Sequence, residues 1–457
     1  MRGYLLLIVI IFSAYTVEGQ EQTSMSLEEC LKYAERNQVK IKNAMLDYNS
    51  AIARNKEVTG SALPQLTAKG ALNYAPLVAA FQVPDFISGV IKQTVKPEAL
   101  DSVFLNSPIG TLPLAFQPKW TTTGSAELSQ ILFNPDIMVA LRARKTLEEL
   151  AAKSVDLTIQ DVKVAVSKAY YNVLIAEKQK DLIESNIARI SQMQTETKEI
   201  YNAGFAEKID VDRISVTLNN LKTQQIRIDQ MINLAYLSLK FQMGMPLEED
   251  VNLRDSLDAS LETTGILVQE LDYNARNEFQ LLQIQKRLYG FDVKRYRMGW
   301  LPTLNLFGNY GYTLYNMNKL FDPQDNWQKS SLIGLNLNVP LFDGFQRRNK
   351  LKQAQITLEK NENDIDNLKM ALTLENESAR ITLRNNLLAL NNQKENMILA
   401  EEVYNTASIK YKEGVGSSLE VLDAESALKE AQTNYFQALY DVTTARIDLQ
   451  KALGLIN

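Results

Sequence analysis

The chain has no histidine, a single cysteine, and only 12 prolines and 19 glycines in 457 residues. Without imidazole there is no Ser-His-Asp or Cys-His catalysis, no histidine-ligated zinc and no use of the commonest general base. One cysteine, Cys30, excludes an intrachain disulfide and a cysteine metal cluster, and its neighbours Leu27 and Leu31 mark it as a small packed hydrophobe. The scarcity of breakers leaves room for long uninterrupted elements. Charge of one sign is lacking too: 49 basic against 54 acidic residues give −5, mixed along the chain, which excludes a nucleic-acid footprint. No glycine-rich phosphate loop and no paired-carboxylate pocket is found. Pairs such as Glu28-Glu29 and Asp210/Asp212 read as solvated helix faces. Neither an enzyme nor a bound metal or cofactor is expected. With 45% hydrophobic and 23% charged residues, the chain is neither disordered nor a multi-span helical membrane protein.

What is present begins with an export signal. Met1 to Gly19 carries Arg2, an apolar run from Leu5 to Phe12, and Val17-Glu18-Gly19 as a cleavage site before Gln20. The run is too short to span a bilayer, and no cysteine follows the cleavage point closely enough for a lipid anchor. The exported chain is therefore soluble, periplasmic or in an outer membrane.

The second half restates the first. Leu27-x3-Leu31-x5-Asn37 returns as Leu267-x3-Leu271-x5-Asn277, and Leu63-Pro64, Gly70 and Tyr74 return as Leu301-Pro302, Gly308 and Tyr312. Leu132-Phe133-Asn134 returns as Leu341-Phe342-Asp343. Tyr201-x2-Gly204-x5-Asp210-Val211 returns as Tyr411-x2-Gly414-x5-Glu420-Val421, and Gly244 as Gly454. Two large structural repeats, 20–250 and 251–457, are expected to form one barrel-plus-helical-tube unit.

Each repeat reads in the same order. A helix (26–62; 262–300) ends at Leu-Pro, because proline forces its predecessor out of the α region. Two strands with period-two alternation follow, at 65–75 and 119–133 and again at 303–315 and 329–342. Asn134-Pro135 and Asp343 are N-cap signals for the next helices, 136–203 and 345–413. There the period becomes that of a coiled coil. Leu351, Leu358, Ile365, Leu372 and Ala379 fall at sevens, as do Leu383, Leu390, Met397, Tyr404 and Tyr411. A helix of about 70 residues is about 100 Å long, and the shorter helices 206–244 and 417–453 complete each repeat. More than one seam on a helix predicts neighbours on two sides, as in a closed ring of helices.

Four strands with an oily face cannot close a barrel alone, and an open sheet edge is not tolerated in lipid. Three chains would supply twelve strands. Trp120, Trp300 and Trp327 stand at strand ends with Tyr74, Tyr310, Tyr312 and Tyr315 nearby, the placement of an aromatic belt. Segment 76–118 holds Pro76, Pro84, Pro97, Pro108, Pro113 and Pro118 and is expected to be a long irregular external loop. The sequence leaves open whether it folds over the barrel mouth or makes a surface contact.

The ordered duplication, with its Leu-Pro exits, Leu-Phe-Asn/Asp junctions and paired Tyr-x2-Gly turns, resembles the TolC-type outer-membrane efflux family over essentially the whole mature chain. The resemblance implies an α+β membrane protein in the cell outer membrane: a homotrimer with a twelve-stranded β-barrel continued by a long periplasmic α-helical barrel. It further implies a periplasmic adaptor and an inner-membrane pump as partners, in drug or metal efflux or in type I secretion. Its functional end would be the periplasmic tip. Glu420 and Asp423, three apart on one helix face, would form stacked carboxylate rings at the pore constriction, a field favouring cations. Asp210 and Arg213 are candidates for links that hold the tip shut. Turn residues Gly204, Phe205, Gly414, Val415 and Gly416 would receive the adaptor. Opening is expected as an iris-like untwisting of helices 206–244 and 417–453. An exported coiled-coil adaptor or stalk is the alternative; it accounts for export and heptads and leaves four amphipathic strands unused.

Overall fold

A computed structural model describes residues 23–96, 107–114, 118–255, 265–316 and 326–456. The expected signal peptide lies outside the described residues. The chain divides into two compact units, and each draws on both repeats. The cut falls across every repeat rather than between the two, because each long helix has residues in both units.

The first unit comprises the described residues up to Ile52, together with Thr146–Arg287 and Glu359 onward. It begins with a short strand β1 (Thr23–Met25), helix α1 (Leu27–Asn37) and the start of α2 (Val39–Gly60). It continues with most of α4 (Pro135–Asn202), then α5 (Lys208–Met243) and strand β6 (Val251–Leu253). It ends with the start of α6 (Asn277–Met298), most of α7 (Gln346–Lys412), and α8 (Ser418–Ala452). Strand β6 pairs in parallel with β1. Burial follows the heptads: Val162, Val166 and Val173 on α4 and Ile365, Leu372 and Leu383 on α7 are buried. Cys30 is fully buried beside Tyr170, Leu239 and Met243, and burial pushes its thiol up to about 12.

Neither of the two expected helices 26–62 and 262–300 is continuous. The first breaks at Gln38, whose backbone is extended (φ −63°, ψ 125°). Its side-chain amide donates to the carbonyls of Phe241 (3.1 Å) and Gln242 (2.8 Å), at the end of α5. The second is two 3-10 turns, Ile266–Val268 and Tyr273–Ala275, before α6 starts at Asn277. Arg276, also extended, is 1% exposed. Its guanidinium donates to the Ala452 carbonyl at 2.8 Å and pairs with Glu278 (3.2 Å) and Glu375 (3.0 Å). Each break serves the same need, since the carbonyls that end a helix must find donors. The chain unwinds to place a side chain there.

Both joints also need glycine. Gly244 has φ +70°, and a Cβ on it would lie 2.8 Å from Gln38 Cα; Gly454 has φ +72°, with Ala275 O at 2.8 Å. No other residue provides the left-handed turn and the close approach together.

The second unit comprises Ala53–Lys145 and Leu288–Leu358. Its sheet has four antiparallel strands in the order β2 (Gln65–Tyr74), β5 (Trp120–Phe133), β7 (Thr303–Asn316), β8 (Gln328–Asn338). The last strand stops at Asn338, four residues short of its expected end. The register lines Leu66, Leu128, Gly308 and Ile333 across one face and Lys69, Ser125, Gly311 and Ser330 across the other. By alternation the first face also carries Leu72, Leu306, Leu335 and Leu337, and the second Thr121, Thr123, Asn305, Asn336 and Asn338. One face is oily and exposed; the other is polar, with Lys69 and Glu127 paired at 2.5 Å. Strands β2 and β8 have no partner on their outer sides among the described residues.

Segment 76–118 is not the irregular loop expected of its prolines. Strands β3 (Phe81–Pro84) and β4 (Thr111–Leu114) pair antiparallel, and α3 (Phe86–Thr94) lies between them in the chain. Asp85 caps α3 by accepting from the Ser88 N–H at 3.0 Å. The prolines sit where a two-stranded ribbon tolerates them, Pro84 and Pro113 each at an edge. Pro97 lies outside the described residues.

Candidate functional site

The site is built where the two helix pairs turn. Helix α4 ends in a Schellman motif: the Phe205 N–H donates to Ile200 O at 3.0 Å and the Gly204 N–H to Tyr201 O at 2.9 Å. Helix α7 ends the same way, with Val415 to Lys410 O at 3.0 Å and Gly414 to Tyr411 O at 3.1 Å. Gly204 (φ +84°) and Gly414 (φ +74°) supply the left-handed residue, and a Cβ on either would meet nothing within 4 Å. Gly416 is needed for space, since its Cβ would meet Lys410 Cβ at 3.0 Å. The next helices then start on caps. Glu207 and Asp210 form a capping box on α5, and the Ser417 hydroxyl accepts from the Glu420 N–H at 3.2 Å on α8. These turns leave Phe205 87% and Val415 78% exposed, two apolar side chains projecting at the tip.

Four helices share one buried cluster behind the turns, including Ile190 (α4), Leu218 (α5), Tyr404 (α7) and Leu428 (α8). Side chains tie them together. The Thr197 and Tyr411 hydroxyls are 2.8 Å apart, joining α4 to α7, and Lys412 pairs with Glu196 at 3.3 Å. The Gln194 amide donates to Ser215 Oγ at 2.8 Å, joining α4 to α5. The Ser418 hydroxyl donates to Asp210, joining α8 to α5.

Asp210 is thus part of a link within the tip. Arg213 is exposed, and its guanidinium pairs with neither Asp210 nor any other described residue. Glu420 and Asp423 are both exposed, on the wall of an open groove of about 630 Å³ between α7 and α8 that Glu402 and Lys410 also line. Their carboxylates stand free of ion pairs among the described residues.

Sequence reasoning passed over Thr197, Tyr411 as a bonding partner, Ser418, Arg189 and Glu425. Glu425 carried a signal: it falls four after Val421 and three before Leu428, on the apolar face. It is 1% exposed, and burial raises its carboxyl to about 7 against the pull of Arg189 and Lys429. Burial chiefly, and Glu425 next, raise the Tyr404 phenol.

The aromatic positions cluster by strand end. Tyr74 and Trp120 stack at 4.3 Å between ring centres where β2 ends and β5 begins. Trp327 precedes β8 at that same end of the sheet, whereas Trp300 precedes β7 at the other. Tyr310 and Tyr312 meet edge to face at 5.6 Å.

Residues 276–455 match the family model described as "Outer membrane efflux protein". The chain is 21% identical over 331 residues to Outer membrane protein TolC of Vibrio cholerae, covering 72% of this chain and 76% of that protein. It is 22% identical over 353 residues to TolC of Escherichia coli, covering 74% and 70%. This chain is similar to TolC-type outer-membrane efflux proteins. The solved structure of CusC superposes with a TM-score of 0.71 at 15% identity, covering 97% of this chain and 95% of that one. VceC of Vibrio cholerae gives 0.67 at 15% identity, covering 94% and 96%. The TolC-type fold accounts for a sheet left open within one chain, and it assigns the strands to the outer membrane and the long helices to the periplasm.

Proposed function

We propose that the chain is one third of a passive outer-membrane exit duct of an efflux or type I secretion system, gated at its helical tip. The observation that carries this is the sheet: four strands, an oily exposed face, a polar opposite face and two unpaired edges. Such edges cannot lie in hydrocarbon, so another copy must cover them. Strand β8 of one copy would run antiparallel to β2 of the next, continuing the alternation without a break. Two copies would give an eight-stranded barrel that its own side chains fill, whereas three copies of four strands give twelve and leave a polar lumen. A second heptad on α7 supports the same assembly. Leu374, Ile381 and Leu388 are 72%, 58% and 63% exposed, a seam that wants neighbouring helices.

The duct does no chemistry; its partners supply the energy. At the tip Glu420 and Asp423 of three copies make two carboxylate rings that favour cations. Thr197–Tyr411, Glu196–Lys412 and Asp210–Ser418 hold the helix pairs closed, and opening untwists α5 and α8. Phe205 and Val415, with Gly204, Gly414 and Gly416 shaping the turns, offer apolar contacts to a periplasmic adaptor, which couples the duct to an inner-membrane pump. Trp120, Trp300, Trp327, Tyr310 and Tyr312 line the bilayer interfaces. Purified protein in detergent should run as a trimer on unheated gels and insert single channels into planar bilayers. A monomer that forms no channels sinks the reading.

A further inference from the structure

A polar layer interrupts the apolar core of the tip bundle. Glu425 lies about 10 Å along α8 from its first residue, on the face of Val421 and Leu428. Its carboxyl is buried, and neither oxygen has a hydrogen-bond partner. Arg189 on α4 exerts the stronger pull of the two cations that act on it, yet it is engaged elsewhere: its guanidinium lies 5.2 Å from the centre of the Tyr404 ring and donates to Asn186. Asn186 in turn donates to Gln432 at 2.8 Å, and Arg189 Nε is left buried without an acceptor. Other groups do not supply what Glu425 lacks. Lys429 lies one turn along α8, and Tyr404 faces it from α7, where Glu196 on α4 acts on the Tyr404 phenol. The buried α5 residues of the cluster, Ile214, Leu218, Leu221 and Ile228, do not ionise.

The first repeat shows what this position looks like when it is at rest. Ser215 stands 210 residues before Glu425, as Gly204 stands before Gly414. Its hydroxyl accepts from Gln194 at 2.8 Å and donates to Val211 O at 2.7 Å, so nothing is left over.

We propose that Glu425 is a proton-operated latch: neutral, it lets the tip helices pack closed; ionised, it turns out to water and releases them. A buried carboxylate with no donors costs several kcal/mol, while an exposed one costs nothing. The closed tip therefore holds this proton more tightly than the open tip does. Its advantage is complete below the ordinary carboxylate range and is lost as pH rises through about 7. The inference rests on the reading of the tip as a gate, and the test separates the two.

Trimers carrying E420Q and D423N, which remove the exposed carboxylates from the titration, are compared with and without E425Q at pH 5 and pH 8. Two quantities are measured: hydrogen-exchange protection of residues 418–430, corrected for intrinsic rates, and single-channel conductance. Protection should fall at least about tenfold between the two pH values with Glu425 present and stay level in E425Q. E425M, which fills the volume without a titrating group, serves if E425Q does not assemble. An equal fall in all variants, or no fall in any, overturns the latch. If protection follows Glu425 while conductance does not, the latch stands and the tip is not the step that limits conduction.

Discussion

Gly204 and Gly414 end their helices with the same hydrogen bonds and nearly the same φ, and the helices that follow start on side-chain caps. What the two turns carry is different. Asp210, Arg213 and Ser215 of the first repeat stand where Glu420, Asp423 and Glu425 stand in the second. In the first set Asp210 accepts from Ser418, Arg213 is exposed, and Ser215 is fully bonded. The second has two exposed carboxylates and one buried without partners. Duplication preserved the residues that backbone geometry requires, while the charged positions parted. The asymmetry leaves the one carboxyl stranded in the core of the tip on α8.

The joints at the far ends of α5 and α8 make the same comparison in stability. Gln38 closes its joint with a neutral amide, Arg276 with a buried cation that has two carboxylate partners. Replacing Arg276 with methionine strands Glu278 and the Ala452 carbonyl and should cost about 3–5 kcal/mol; Gln38→Ala removes two neutral bonds and should cost about 1–3 kcal/mol. Unfolding midpoints of the trimers measure the gap, and equal losses would show that the charge adds nothing. The glycines come next. Gly244→Ala and Gly454→Ala combine positive φ with a backbone contact under 3 Å and should each cost more than about 2 kcal/mol. Gly204→Ala and Gly414→Ala face open space and should cost about 1 kcal/mol. If all four lose alike, close approach is not what distinguishes joint from turn.

Smaller still is Tyr411→Phe, which deletes one hydroxyl bond to Thr197, about 1 kcal/mol, while leaving the ring packed. Its expected sign is a raised open probability in bilayer recordings. Glu420→Gln with Asp423→Asn should leave the unfolding midpoint unchanged and lower cation selectivity. The matching first-repeat change, Asp210→Asn, should leave selectivity as it was. A reversal between these two would move the acidic ring to α5.

Much of this architecture was legible because it repeats or alternates. Heptads on α7 and period-two alternation at 303–315 put Ile365 and Leu372 in the core and the oily face on one side of the sheet. The Leu-Pro exits and the Asn134 and Asp343 caps marked where elements change: the Asp136 N–H donates to the Asn134 side chain at 2.9 Å and the Arg347 N–H to Asp343 at 2.9 Å. The breaks at Gln38 and Arg276 were not legible, since both residues are acceptable in helices and only the distant ends of α5 and α8 demand their donors. The same holds for the ribbon within 76–118, whose strands are four residues each and carry prolines. At the tip, acidic spacing pointed to Glu420 and Asp423. Thr197, Tyr411 and Ser418 matter through partners more than 200 residues away, and spacing along the chain does not report those.

By itself the sequence determined the elements, their duplication, and the faces that seek cover, because propensity and periodicity act through neighbours on one strand or one turn of helix. Only the tertiary structure decided which carboxyl is stranded in the core and which is held. That depends on the dielectric and the donors brought by other helices, and no stretch of chain contains its own surroundings.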